Sequence, residues 1–441
     1  MDDYKLGINL GWYKEEASNQ EIFNQYKNWL NICRENNIKL VRIFLARWSI
    51  NALFDDGKLD LLFKIIKEAD SFGIEVVLVL NHFTDFIDQH YRELDEAKYI
   101  WDSFPLKKES IKSFFTNLDK NFVAKIKNVL NKIKEYKNIT KIELFNEIDL
   151  VDIDNKILIK WISELERELS IYQKRYKFYV SIANHDNLKL FKNNLSIPVD
   201  IHIYNCPSEY AFKNIEYFKG KLDNSCYLGE YAKFSDNSYL EVCESKSYFC
   251  SGLWGSYLQG LKNSPLHWWW QELLVNNEYL KIISLFRKYT PNNFNLVSND
   301  NFKISDLKVI ESGENNSIRR DKILFRLKTV ILHPIYLKAE RDAIVKFMKK
   351  ILSSYIDKEE VLIRSFENQK YVYFYCEPKN CQKVNFNLHA KGANNINNVE
   401  LINLLNGASK QMNYGKAGEM FEIECKFSSN HLIRIKKSQN G

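Results

Sequence analysis

The sequence lacks several motifs by which other classes of protein are identified. Its eight cysteines contain no C-x-x-C pair, and no G-x-G-x-x-G follows the first predicted strand. These absences argue against a cysteine-ligated zinc module and against a dinucleotide-binding sheet. G-x-S-x-G is also absent, so the usual serine-hydrolase elbow is excluded.

Long hydrophobic runs are missing as well. No apolar stretch approaches the roughly 18 residues that a membrane helix needs, so we expect no membrane span. No signal peptide precedes the first predicted strand, which starts at Leu6. We therefore expect a cytoplasmic protein as the chain stands, or a secreted or cell-surface protein if a leader has been removed.

The net positive charge is confined to the last third of the chain. Residues 295–441 carry 24 Lys and Arg against 16 Asp and Glu, whereas the whole chain has a net charge of +7. A basic surface attracts acidic polymers such as an acidic polysaccharide, but a solvated lysine-rich surface explains the same surplus. Because residues 295–441 contain no Trp, we expect this region to pack on the rest of the protein rather than bind glycan.

Over residues 1–290, short apolar segments alternate with amphipathic helical segments such as Glu21–Asn36, Asp60–Phe72, Ile111–Tyr136 and Lys156–Lys174. The predicted strands are Leu6–Trp12, Leu40–Leu45, Val76–Leu80, Lys141–Glu147, Phe178–Ala183, Val199–Asn205, Tyr227–Tyr231 and Leu266–Gln271. Eight such strands predict an α/β fold, a (β/α)8 TIM barrel, with an open doubly wound sheet as the alternative.

The pattern changes after Tyr289. Pro291, Asn292 and Asn293 indicate a linker, and residues 295–441 are expected to form a smaller C-terminal β-sandwich domain. The strands predicted there are Val361–Phe366, Tyr371–Cys376, Val384–Leu388, Val399–Leu404, Met420–Phe427 and His431–Ile435. Within this region, Lys338–Ile351 has helical spacing instead.

Catalytic groups of a barrel gather at the carboxyl ends of its strands. Two of these ends carry a glutamate, Glu147 in Asn146-Glu147 and Glu230 in Leu228-Gly229-Glu230. The other ends supply further polar and aromatic side chains: Asn9, Arg42, His82, His202, Tyr204 and the run from Trp268 to Trp270.

This ordered set resembles that of the clan A glycoside hydrolases, most closely the cellulase-type (family five-like) barrels. The matching positions are Asn146-Glu147 on strand four, Glu230 on strand seven, Arg42 on strand two, His82 after strand three, His202-Ile203-Tyr204 on strand six and the strand-eight Trp run. The resemblance covers roughly residues 4–290.

The resemblance implies Glu147 as the acid/base and Glu230 as the nucleophile of a retaining glycoside hydrolase that cleaves β-glycosidic bonds. It further implies that Tyr204 and Arg42 orient Glu230, and that Asn146 binds the sugar 2-hydroxyl. His82 and His202 would bind substrate or orient the carboxylates. Either Trp268 or Trp270 would lie under the sugar, and Trp270 is preferred.

Two alternatives use the same residues or part of them. A transglycosylase would share every position named and differ only in the acceptor of the glycosyl group. A non-catalytic carbohydrate-binding barrel would have lost one of the two glutamates, and both are present. Strand one lacks the His-x-His of a metal-dependent barrel hydrolase, so we expect no metal. The resemblance implies a carbohydrate substrate, and we expect no cofactor and no nucleic acid.

Overall fold

The computed structural model describes most of the two predicted domains. The described residues are 4–11, 18–44, 56–83, 108–204, 215, 217, 219, 228–232, 242–268, 270–290, 295–296, 302–310, 361–368, 370–378, 383–391, 396–417, 420–427 and 429–437. The segment predicted to have helical spacing, Lys338–Ile351, lies outside them, as does the predicted linker.

Seven parallel strands form one sheet in which each strand pairs with the next one in the sequence. They are β1 Leu6–Leu10, β2 Ile38–Phe44, β3 Glu75–Val79, β4 Ile139–Phe145, β5 Lys177–Ile182, β6 Val199–Ile203 and β7 Glu230–Tyr231. Their apolar side chains are buried on both faces, as expected of a parallel sheet covered by helices. Leu40, Val77, Tyr179 and Leu266 form a separate buried cluster.

An irregular segment closes the sheet at the eighth position. His267 makes bridges to Ile8 on β1 and to Tyr231 on β7. The Asn9 amide donates to the His267 carbonyl, and the Trp268 amide donates to the Tyr231 carbonyl, both at 3.1 Å. The seven strands and this segment confirm the predicted barrel, although the eighth segment is not a regular strand.

Nine α-helices are described: α1 Asn19–Glu35, α2 Asp56–Ser71, α3 Lys108–Thr116, α4 Lys120–Ile133, α5 Asn155–Glu168, α6 Leu188–Asn194, α7 Val242–Leu258, α8 Trp270–Val275 and α9 Asn277–Tyr289. A capping box between Ser18 and Glu21 starts α1.

The single helix predicted over Ile111–Tyr136 is wrong. The Asp119 side chain accepts hydrogen bonds from the amides of Asn121 and Phe122, and a second helix begins at Lys120. None of the described helices is long and apolar enough to cross a bilayer.

The C-terminal region forms two antiparallel sheets, as predicted. Its strands are β8 Asn295–Leu296, β9 Phe302–Ile310, β10 Val361–Glu367, β11 Tyr371–Pro378, β12 Lys383–Lys391, β13 Ile396–Asn403, β14 Ser409–Gln411, β15 Tyr414–Ala417, β16 Met420–Phe427 and β17 His431–Lys437. One sheet has the order β14-β13-β17-β11-β10-β8 and the other β15-β16-β12-β9. Side chains from both sheets share one buried core, for example Phe374 and Ile433 with Leu388 and Ile423.

Helix α7 joins the barrel to the first of these sheets. The Trp254 ring on α7 stacks on Tyr375 with the ring centroids 5.8 Å apart. Ser251 on the same helix donates to the buried carboxylate of Glu377 at 2.6 Å, and the Asn430 side chain donates to Ser251 at 3.1 Å. The contact therefore combines aromatic packing with a buried polar cluster, which orients the two domains more strictly than apolar contact alone.

Candidate active site

Glu147 lies two residues after the end of β4 and has a left-handed backbone conformation, with φ 51° and ψ 47°. A residue other than glycine pays roughly 1–2 kcal/mol for this conformation, so surrounding contacts must hold it. One such contact is the Glu147 amide, which donates to Ser181 Oγ at 2.9 Å. The side chain is mostly buried, with 10% of its surface exposed.

Glu230 begins the two-residue strand β7 and is also buried. Two donors hold its carboxylate: Arg42 Nη1 donates to Oε1 at 2.9 Å, and the Tyr204 hydroxyl donates to Oε2. The backbone of the preceding Gly229 is held by hydrogen bonds at both its N–H and its C=O group. Its amide donates to Asp200 at 2.7 Å, and its carbonyl accepts from Asn9 at 3.0 Å.

Arg42 on β2 is the central cation of the site and is fully buried. Its Nε donates to Glu143 at 2.7 Å, and its Nη2 donates to Asn146 at 2.5 Å. Its Nη1 donates to Asn9 as well as to Glu230, each at 2.9 Å. Burial alone would lower the pKa of Arg42, but Glu143 and Glu230 raise it above the ordinary value. Arg42 is therefore charged at every pH of interest.

The register of β4 explains how one guanidinium reaches both Glu143 and Asn146. Side chains three residues apart in a regular strand lie on opposite faces. The pairing of β4 with β5 shifts between Glu143 and Phe145, which is an irregularity of the β-bulge type. The extra residue brings Asn146 to the face that Glu143 occupies.

The two predicted catalytic glutamates lie close together. His202 Nδ1 lies 2.7 Å from Glu147 Oε1 and 3.4 Å from Glu230 Oε2. One oxygen of each glutamate and a ring nitrogen of His202 all lie within 4.8 Å of one another. This spacing would also suit a single cation, but the charge of Arg42 beside Glu230 opposes one, and the absence of a metal stays a prediction.

The two carboxyls differ in what opposes their protonation. The pKa of Glu147 is raised to about 8, because burial, Asp149 and Glu143 together outweigh the opposing effect of Arg42. The pKa of Glu230 is also raised, by burial and by Glu147, but Arg42 and the Tyr204 hydroxyl act to lower it. The donors on Glu230 favour its ionised form, so the first proton taken up by the pair belongs on Glu147.

The tyrosine and histidine beside these carboxyls are neutral. Burial and the Glu230 charge raise the pKa of Tyr204, so its hydroxyl keeps its proton and donates. Burial lowers the pKa of His202, which keeps the imidazole uncharged at neutral pH. His202 is further fixed by its own carbonyl, which lies 2.7 Å from His185 Nε2.

The remaining predicted site residues are placed as follows. Asn146 and His82 form a backbone bridge between the ends of β3 and β4. The His82 ring stacks on Phe83 with centroids 4.7 Å apart.

The placement of Trp270 on strand eight is wrong, because Trp270 is the first residue of α8. Its side chain is not among the described ones. Trp268 is instead the tryptophan at the end of the barrel wall, packed edge-on against Phe44 at 5.4 Å.

Sequence reasoning gave no role to three buried residues of the site: Glu143, Ser181 and Asp200. Glu143 Oε1 accepts from Ser181 at 2.6 Å, and Glu143 Oε2 accepts from the Tyr179 hydroxyl at 2.7 Å. A signal for them existed, since each is a polar residue with apolar neighbours inside a parallel strand. Such residues are buried and must be paired, so they mark the interior of the barrel.

Comparison by sequence finds no relative: no protein-family model matches the chain, and no curated protein matches it. Comparison by structure does find similar proteins. A glycoside hydrolase family 30 subfamily 8 xylanase from Clostridium acetobutylicum has a TM-score of 0.50 at 12% identity, covering 98% of this chain and 96% of that one. A family 30 endoxylanase from Clostridium papyrosolvens has a TM-score of 0.51 at 9% identity with the same coverage. At such identities the likeness establishes the fold alone, a barrel followed by a β-sandwich.

Proposed function

We propose that the protein is a retaining glycoside hydrolase that cleaves β-glycosidic bonds of a polysaccharide or oligosaccharide by double displacement. The observation that carries the proposal is the separation of the two buried carboxylates. An oxygen of Glu147 and one of Glu230 lie within 4.8 Å of each other. Retaining enzymes hold their carboxyl groups about 5–5.5 Å apart, whereas inverting enzymes leave about 6.5–9.5 Å for a water molecule.

The environments of the two glutamates support different roles. Glu230 accepts from Arg42 and Tyr204, which aim it and favour the ionised form that a nucleophile requires. Glu147 has a pKa raised to about 8, so it holds a proton at neutral pH and can give it to the leaving oxygen. After Glu230 has formed the glycosyl intermediate, the same Glu147 carboxylate takes a proton from the attacking water.

The side chains around the pair are assigned to substrate binding. Asn146 Nδ2 and His202 Nε2 are buried and have no hydrogen-bond partner among the described residues. A sugar hydroxyl would satisfy such atoms, and we assign the 2-hydroxyl to Asn146. His82, at the end of β3, is assigned to neighbouring hydroxyls. For the ring under the sugar, Trp268 and Trp270 are the candidates, and the position of Trp268 at the end of the barrel wall favours Trp268.

The test is a panel of β-linked polysaccharides and oligosaccharides, with neutral and acidic members because of the basic C-terminal region. We expect new reducing ends from at least one substrate, and NMR of the first product should show the β-anomer. Glu147→Gln and Glu230→Gln should abolish the release. Glu75→Gln is the matched control, because Glu75 is a carboxylate at the opposite end of the barrel, bonded to Lys5 and Thr140.

Three results would count against parts of the proposal. A first product of the α-configuration would make the enzyme inverting. Products longer than the substrate would make it a transglycosylase. Binding of a glycan by the wild type, without cleavage of any substrate in the panel, would favour the non-catalytic barrel.

A further inference from the structure

Glu143 lies in the middle of β4, four residues before Glu147, and is fully buried. Three groups donate to its carboxylate: Arg42 Nε and the Tyr179 hydroxyl at 2.7 Å each, and Ser181 Oγ at 2.6 Å. Three short bonds, one from β2 and two from β5, hold this carboxylate in one orientation.

One branch of these bonds leads to Glu230. The guanidinium that binds Glu143 through Nε binds Glu230 through Nη1 at 2.9 Å. Because a guanidinium is planar and rigid, fixing its Nε edge also fixes the direction of its Nη1 bond. Glu143 thereby determines where Arg42 presents its donor to Glu230.

The other branch leads to Glu147. Ser181 has a single hydroxyl proton, which its 2.6 Å bond assigns to Glu143, and its lone pair accepts from the Glu147 amide at 2.9 Å. The accepting bond holds the left-handed backbone on which the Glu147 carboxyl is mounted. Rotation of the Ser181 side chain about χ1 would break both bonds, so the bond to the carboxylate of Glu143 also orients Ser181.

We propose that Glu143 is a positioning residue that holds both glutamates of the reaction in one frame, through Arg42 on one side and Ser181 on the other. This inference rests on the proposed glycosidase function and assigns no contact between Glu143 and substrate. The frame also acts electrostatically, since the charge of Glu143 contributes to the raised pKa of Glu147.

The test compares Glu143→Gln with Glu75→Gln, an identical chemical change in a part-buried carboxylate on another strand. We expect kcat of Glu143→Gln to fall on the order of 100-fold, as a misplacement of reacting groups does, with KM little changed. The basic limb of its kcat/KM profile should move to lower pH, because the pKa of Glu147 falls when the Glu143 charge is removed. Glu75→Gln should change neither. A folded Glu143→Gln variant with the kcat and pH profile of the wild type overturns the inference.

A second variant, Ser181→Ala, keeps the charges of Arg42 and Glu143. It covers the case in which Glu143→Gln does not fold. Its kcat should also fall, whereas an unchanged kcat contradicts the frame. A carbon-13 NMR titration of the Glu147 carboxyl separates this inference from the proposed function. If the wild type cleaves no glycan, the proposed function fails. A Glu147 pKa that is equal in wild type and Glu143→Gln rejects the frame, whether or not the enzyme is active.

Discussion

Arg42 Nη1 donates to Glu230 Oε1 across 2.9 Å, and both side chains are buried. Arg42→Lys keeps the charge but cannot direct separate donors to Glu143, Asn146 and Glu230 together. We expect kcat/KM to fall by about 100-fold or more. The free energy of unfolding should fall by about 1–3 kcal/mol, because buried acceptors lose their donors.

The matched control for that substitution is Arg175→Lys. Arg175 donates to the Tyr136 carbonyl at 3.0 Å in an exposed position. Urea denaturation and glycan turnover of this variant should match the wild type. If Arg42→Lys behaves like Arg175→Lys in both measurements, the buried guanidinium has no special part in the site.

Tyr204→Phe removes the hydroxyl that donates to Glu230 and leaves the ring in place. That bond helps to lower the pKa of Glu230, so its loss raises the pKa. The acid limb of kcat/KM should therefore move to higher pH, and kcat at neutral pH should fall by roughly 10- to 100-fold. Tyr172→Phe is the control, because the Tyr172 hydroxyl bonds Asn131 at an exposed site. An acid limb that stays in place would separate Tyr204 from the ionisation of Glu230.

Glu147→Gln should make the stability of the protein less dependent on pH. The Glu147 pKa rises from 4.5 to about 8 on folding. Between these values the folded state binds more protons than the unfolded state. Wild-type stability therefore falls as pH rises through this window, by at most about 1.4 kcal/mol per pH unit from this group.

The advantage of Glu147→Gln over the wild type should accordingly grow from pH 5 to pH 8, measured by urea denaturation at each pH. Glu75→Gln gives the contrast. Hydrogen bonds from Lys5 and Thr140 outweigh burial and lower the pKa of Glu75, so its contribution is lost only as pH falls below about 4.5. Its difference from the wild type should be constant from pH 5 to 8. An equally constant difference for Glu147→Gln would mean that this carboxyl titrates normally.

Trp254→Ala tests the contact between the barrel and the β-sandwich. Removal of a fully buried Trp that stacks on Tyr375 and packs on Phe366 should cost about 3–5 kcal/mol. Because α7 belongs to the barrel and the two rings to the sandwich, calorimetry should show both domains melting together at a lower temperature. Ile171→Ala, at a position 73% exposed, should leave the melting curve unchanged. A lower melting temperature for one domain alone would show that the domains fold independently.

The barrel was predictable because parallel strands that are buried on both faces consist of continuous apolar residues. Such runs can be recognised in the sequence without knowing which segments they contact. The strand-end set was predictable for the same reason, since it depends only on where each run stops. Val199–Asn205, for example, was predicted from such a run, and β6 is Val199–Ile203. The positions of Glu147, Glu230, His202 and Tyr204 around one point follow from that topology.

The network beneath those ends was not predictable, because alternation along a strand does not reveal a register shift. Strict alternation places Glu143 and Asn146 on opposite faces, whereas the irregularity in β4 brings both to Arg42. The eighth strand was misjudged for a related reason. Its apolar run continues through Trp268 to Trp270, and only the hydrogen bonds to β1 and β7 show where the wall ends.

The left-handed backbone of Glu147 determines how an inactive form for trapping substrate is best made. Alanine at this position keeps the Cβ atom and with it the unfavourable conformation, while glycine adopts φ near 51° freely. Glu147→Gly should therefore be at least as stable as Glu147→Ala, against the usual order for these two residues. The glycine variant removes the carboxyl that holds a proton at neutral pH and leaves Glu230 and its donors in place. This variant should be used to co-crystallise an intact glycan, or its crystals should be soaked with one.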